Sequence, residues 1–169
     1  MKILVTLDGS HLSETILAIV AKIAEPLDAE VELFTVGRLD EAHTTPVRSA
    51  YVEMMPVATS TGARIGVPLP SEIMPPVVES RVQAMSRLEA TLHDYLAARS
   101  HALEGVRVET HVKFADDAAA TIVERARQTK PDLIAMATHG RTGLSHLLAG
   151  SVCEQVIRSG VAPVIVLRP

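Results

Sequence analysis

The residues best placed to do chemistry are Ala137-Thr138-His139-Gly140 and Gly150-Ser151, with nine residues between the two glycines. They follow Leu133-Ile134-Ala135-Met136-Ala137, a short uncharged apolar run of the kind that forms a strand covered on both faces. Glycines lack a Cβ, so at Gly140 and Gly150 an anion can approach main-chain N–H groups that a larger side chain would shield. Ser151 opens the pattern Ser151-Val152-Cys153-Glu154, which fits a capping box at a helix start. The first N–H groups of that helix have no internal partner and carry the positive end of its dipole. The chemistry such an arrangement offers is the holding of phosphate. The spacing alone equally fits ordinary loop glycines ahead of an N-capped helix, and both readings stay open on spacing.

A second polar signal lies near the amino end, where Asp8-Gly9-Ser10 closes the apolar run Ile3-Leu4-Val5-Thr6-Leu7. Asp8 is either an acceptor for a ligand or a turn-forming and helix-capping aspartate. Asp116 or Asp117 is expected to cap the helix that follows. The seven histidines show no His-x3-His spacing, and Cys153 is the single cysteine, so a protein-held metal and an internal disulfide are both unexpected. His139 and His146 read as loop residues, and Cys153 as a buried structural thiol. No lysine follows the glycines in the Walker A manner, and no nucleophile, base and carboxylate are set out on strand ends. No catalytic residue is assigned.

Composition narrows the partners. The chain has 169 residues, is 47 % apolar, and carries a formal net charge of -4 with no tryptophan and only two Phe and two Tyr. A mildly acidic chain so poor in aromatics is not expected to bind nucleic acid. No apolar run approaches the ~18 residues of a membrane span, and no basic-then-apolar leader is read at the start, so a cytoplasmic protein without membrane association is expected.

Strand and helix patterns alternate along the chain. Lys2–Leu7 reads as a strand, and Leu12, Ile16, Ile19, Val20 and Ile23 mark a helix running to about Glu25. Glu30–Val36 reads as the second strand, Glu79–Arg99 as a long helix, Val106–Val112 as an edge or half-buried strand and Ala118–Gln128 as a helix. The 133–137 strand, the 151–158 helix and a closing strand over Pro163–Leu167 complete the series. Five strands separated by helices imply an α/β, doubly wound, mostly parallel sheet in a single domain over residues 1–169. Ligands in such sheets sit beyond the strand carboxyl ends at the topological switch point. Asp8 and the glycine loop meet there if the first and fourth strands are neighbours.

The chain resembles the universal stress proteins, in their ATP-binding branch. The resemblance is carried by Ile3-Leu4-Val5-Thr6-Leu7-Asp8-Gly9-Ser10, by the Val36 end of the second strand, by Asp132 through Gly143, by Leu147-Leu148-Ala149-Gly150-Ser151-Val152 and by Pro163-Val164-Ile165-Val166. It implies a Rossmann-like sheet of the adenine nucleotide alpha hydrolase kind, with ATP as ligand and magnesium only as companion of its phosphates. It places Thr6, Leu7 and Asp8 against adenine or ribose, Val36 as an apolar wall for the base, and Met136 and Ala137 beside the ribose. Gly140, Gly150, Ser151 and Val152 then face the phosphates, with Arg141 as counter-charge. The chain departs from the pattern at Ala137, where the family has its first loop glycine, and at Thr6, where it often has proline. The function implied is a nucleotide-holding stress-response or regulatory protein with at most slow hydrolysis. The alternative is a dimeric interaction module whose glycine loop is only structural.

Residues 38 to 78 fall outside the resemblance and read as a Pro-rich insertion. Six prolines, at 46, 56, 68, 70, 75 and 76, argue against regular structure over most of it, yet the apolar Tyr51, Val52, Met54, Met55, Val57, Ile65, Val67, Leu69, Ile73 and Met74 argue against a plain linker. It is expected to cover the adenine pocket or to pack on a partner subunit. The last strand, apolar and terminal, is expected to pair with a second copy around Val164 and Val166 to make a homodimer.

Overall fold

The computed structural model describes residues 1–38, 46–47, 54–58, 64–68, 77–78, 80–138 and 151–168. In chain order the elements are β1 (Lys2–Thr6), α1 (His11–Glu14), α2 (Leu17–Ala24), β2 (Glu30–Gly37), β3 (Pro46–Val47), β4 (Met54–Ala58), β5 (Arg64–Pro68) and β6 (Val77–Val78). They continue with α3 (Arg81–Ser100), a 3-10 turn at His101–Leu103, β7 (Arg107–Phe114), α4 (Ala118–Thr129), β8 (Leu133–Ala137), α5 (Ser151–Ser159) and β9 (Val164–Leu167). The chain divides into two compact units, one of residues 1–41 with 87–169 and one of residues 42–86.

The first unit holds a five-stranded sheet in the order β7-β2-β1-β8-β9, with every pairing parallel. This is the expected doubly wound α/β fold. Alternation along the strands fills both faces. Ile3, Val5, Val31, Leu33, Leu133 and Ala135 pack with Leu17 and Val20 of α2 and Leu96 of α3, while Leu4, Phe34, Ile134 and Met136 pack with Ile122 and Ala126 of α4 and Val156 of α5. Strands buried on both faces have no reason to alternate in hydropathy, which is why β1 and β8 read as continuous apolar runs. Gly37 closes β2 at a point of near contact, since a Cβ there would stand 2.7 Å from both Leu92 Cδ1 and Phe114 Cε1.

One expectation needs correction. The helix anticipated from Leu12 to Glu25 is broken into α1 and α2 at Thr15-Ile16. Ser13 Oγ donates to Ser10 O and Thr15 Oγ1 to Leu12 O, while Thr15 and Ile16 turn their N–H groups to carbonyls three residues back. Hydroxyls that compete for main-chain carbonyls tighten the turn and end the regular ladder. The 38–78 segment, expected to lack regular structure over most of its length, has four short strands among its described residues, in two antiparallel pairs, β3 with β6 and β4 with β5. Pro56 stands opposite Gly66 in the second pair. Proline is tolerated there because each strand of a two-stranded ribbon has an outer edge on which a missing N–H breaks no ladder bond.

On the edge strand β7, the His111 ring stacks on Phe34 with centroids 5.8 Å apart and planes 19° from parallel. Burial, then the nearby Arg125 charge, with smaller contributions from Lys113 and His93, hold His111 below the usual imidazole range against the opposing pull of Glu32. The unfolded chain therefore takes up this proton more readily than the folded one. Stability is fully present above the ordinary imidazole pKa of about 6.5 and falls as pH drops from there through the lowered folded value. Urea unfolding between pH 8 and pH 5 is expected to show this loss, and His111→Asn to reduce its slope. An unchanged slope in the variant would place the loss elsewhere.

Candidate functional site

The switch point of the sheet lies between β1 and β8, which are hydrogen-bonded neighbours. At the carboxyl ends of these strands and of β2 the structure encloses a cavity of about 250 Å³. Thr6, Leu7 and Asp8 reach it from β1 and its following turn, Phe34 and Val36 from β2, and Met136, Ala137 and Thr138 from β8. Ser13 of α1, Ala118 and Ile122 of α4, and Val152 and Cys153 of α5 complete the lining. Most of these walls are apolar, and the polar groups among them come from Thr6, Asp8, Ser13 and Thr138.

The turn after β1 is tightly knit. Asp8 Oδ1 accepts from Ser10 N at 2.9 Å and from Ser10 Oγ at 2.6 Å, while Ser10 Oγ caps α1 by accepting from Ser13 N at 3.1 Å. Ser13 Oγ also accepts from Asp8 N at 3.3 Å. Gly9 sits between these residues at φ +80°, a conformation that side-chain-bearing residues rarely adopt. The turn-forming reading of Asp8 thus holds, and the same carboxylate stands at the cavity. Asp117, of the two aspartates before α4, is the one that caps it, accepting from Ala120 N at 3.0 Å.

The backbone of β2 adds a directed pair of groups. Leu7 N–H bonds to Phe34 O, so Phe34 turns its main-chain polar groups toward β1, and Ala115 N–H bonds to Gly37 O, so Gly37 turns its carbonyl toward β7. Alternation in a parallel ladder then points the N–H and C=O of Val36 to the β1 side, at the level where β1 has ended. Across the cleft, the Cys153 thiol lies 3.6 Å from Ala137 O and is buried. Burial is the main cause that pushes this thiol up, with the Asp8 charge adding to it and a Thr138 hydrogen bond opposing. It is a structural thiol, as its place on the apolar side of α5 suggests.

Of the eleven residues singled out in the sequence, Thr6, Leu7, Asp8, Val36, Met136, Ala137 and Val152 line this one cavity. Ser151 is the first residue of α5. Gly140, Arg141 and Gly150 lie outside the described residues, as do His139 and His146. Sequence reasoning missed Ser13, Phe34, Ala118, Ile122, Thr138 and Cys153 as lining. The period-two rule carries Val36 to Phe34, the i, i+4 rule joins Ala118 to Ile122, and Thr138 and Cys153 adjoin residues already named; nothing in the sequence marks Ser13. No group of three or more His, Cys, Asp or Glu able to hold a metal occurs among the described residues. No helix among them is long and apolar enough to cross a membrane.

A model of the universal stress protein family matches residues 1–168. The chain belongs to the universal stress protein family. Universal stress protein MJ0531 of Methanocaldococcus jannaschii is 44 % identical over 62 residues, 36 % of this chain and 36 % of that one. The aligned part spans about a third of the length of the curated relatives it matches. Among solved structures, the protein MJ0577 aligns with a TM-score of 0.66 at 23 % identity over 99 % of this chain and 95 % of that one. A universal stress protein in complex with cAMP aligns at 0.61 and 17 % identity, covering 99 % and 96 %. The universal stress protein of Archaeoglobus fulgidus in complex with dAMP aligns at 0.53 and 17 % identity, covering 98 % and 96 %. At these identities the structural likeness carries the universal stress protein fold.

Proposed function

We propose that the cavity at the carboxyl ends of β1, β2 and β8 holds the nucleoside part of an adenine nucleotide, and that the protein acts as a nucleotide-holding regulatory module. The observation that carries this reading is a largely apolar cavity at the sheet's switch point, lined by seven of the residues that the family resemblance implies for a nucleotide. Its volume of about 250 Å³ suits a base and sugar with phosphates outside, since sites for whole drug-sized ligands run about 300–1,000 Å³. The cAMP and dAMP bound by two structural relatives share adenine as their common part. Val36 offers a main-chain donor and acceptor side by side, which matches a ring nitrogen acceptor beside the exocyclic amine of adenine. Guanine presents a carbonyl and a ring N–H at the same edge, the reverse pattern.

In this reading ATP extends its phosphates toward the start of α5, with Gly140, Gly150, Ser151 and Val152 as donors, Arg141 as counter-charge and magnesium held through the phosphates. Asp8 faces the sugar or the base. Nucleotide is kept with at most slow hydrolysis, in the cytoplasm, where a single buried cysteine suits a reducing compartment. The edge strand β9 carries Val164 and Val166 and is half-exposed, so pairing with a second copy through it belongs to the same reading.

Calorimetry with AMP, ATP and GMP, with magnesium present, tests this. AMP and ATP are expected to bind, GMP at least about tenfold more weakly because a buried donor and acceptor would face like groups, and Gly150→Val to weaken ATP more than AMP. Absence of heat with both adenylates would leave the interaction-module reading in its place.

A further inference from the structure

The wall of the cavity formed by the Asp8–Ser13 turn depends on α1, a helix of only four residues followed by a break. A helix this short does not hold its own position. What holds α1 from outside is α3. Arg99 Nε pairs with Glu14 Oε1 at 2.8 Å, and the Glu14 side chain is only 18 % exposed. The Arg99 guanidinium carbon lies 5.2 Å from the centre of the Tyr95 ring, and the buried Tyr95 hydroxyl, near Ser13 and Glu14, makes no hydrogen bond. Ser13 is at once a lining residue of the cavity, the acceptor for Asp8 N and a donor to Ser10 O. An unbroken set of contacts therefore runs from Arg99 and Tyr95 through Glu14 and Ser13 to Asp8.

We propose that Arg99, backed by the Tyr95 ring, is a positioning residue for the nucleotide cavity: it clamps α1 from α3 and so fixes the turn that carries Asp8 and Ser13. This deepens the adenine-nucleotide reading and rests on it for its ligand. The geometry of the pair explains the choice of side chain, because a guanidinium engages a carboxylate and an aromatic face together in a way an ammonium does not. The pair stands on the protein's flank, so it acts on the orientation of the turn more than on the core.

Two readouts on Arg99→Gln, Glu14→Gln and the double variant test the clamp. The first needs no nucleotide: iodoacetamide alkylation of Cys153, which lines the same cavity. Arg99→Gln is expected to speed it about fivefold, the scale of a single ion pair near the surface, at a rate insensitive to low urea, as local opening requires. The second is calorimetric affinity for AMP, expected to fall about fivefold in each single variant and no further in the double one, as two halves of one contact require. Alkylation that is unchanged, or that rises only with urea in step with global unfolding, overturns the clamp. If wild type binds no adenylate, the nucleotide reading falls, and alkylation still decides the clamp.

Discussion

Replacing Ala118 by tryptophan is expected to weaken AMP binding by at least about 100-fold while leaving the fold intact. Ala118 is the first residue of α4, directly after the Asp117 cap, half-buried and lining the cavity. Its side chain is the smallest that still belongs to the lining, and an indole from that position occupies much of the space a purine would take. A 100-fold loss corresponds to about 2.8 kcal/mol, which is the scale of evicting one aromatic group from a buried site. The cost to the helix is small, because tryptophan loses about 0.5 kcal/mol in intrinsic propensity against alanine and the Asp117 cap is untouched. Calorimetry gives the affinity and thermal unfolding the integrity. Ala118→Ser, which fills no space, serves as control and should bind as wild type does. AMP affinity within about threefold of wild type in a folded Ala118→Trp protein would place the ligand elsewhere.

What the sequence revealed and what it hid follow from the same physics. β1 and β8 were legible because strands buried on both faces read as apolar runs, seen in Leu4-Val5 and Leu133-Ile134, and the edge strand β7 because its residues alternate. The pairing of β1 with β8 at the switch point stayed a condition in the sequence, because right-handed crossovers leave more than one strand order open, and the register of the two strands decides it. The break between α1 and α2 was not legible, since Leu12, Ile16 and Val20 keep helical spacing across it and only the hydroxyls of Ser13 and Thr15 compete with the ladder. The ribbons of the second unit were hidden for another reason: proline forbids a central strand but not an outer one, and nothing local tells the two apart. At the site, residues contributed singly by a strand end could be named, whereas Ser13 and Ala118 line the cavity only because helices from distant parts of the chain converge there.

Glu32 is the largest conflict between local reading and fold, and its removal should have the largest effect on stability. Glutamate is rarely buried, yet Glu32 is fully buried in the sheet, beside Leu4 of β1. A carboxylate there is tolerable only with charge partners, and it has two: Arg125 Nε of α4 at 2.5 Å and Lys2 Nζ of β1 at 3.4 Å. Both cations are themselves mostly buried, with side chains 22 % and 26 % exposed. Glu32→Ala leaves them without their counter-charge and opens a void between β2 and α4, for an expected loss of about 3 kcal/mol, or near 10 °C in thermal midpoint for a chain of this size. Adding Lys2→Met and Arg125→Leu to Glu32→Leu removes the whole cluster, and most of the loss should return, because an apolar replacement carries no desolvation cost. Urea unfolding of the single and triple variants measures both quantities. A loss below about 0.5 kcal/mol in Glu32→Ala would mean that the two cations reach water unaided and that the buried carboxylate contributes specificity of packing instead of stability.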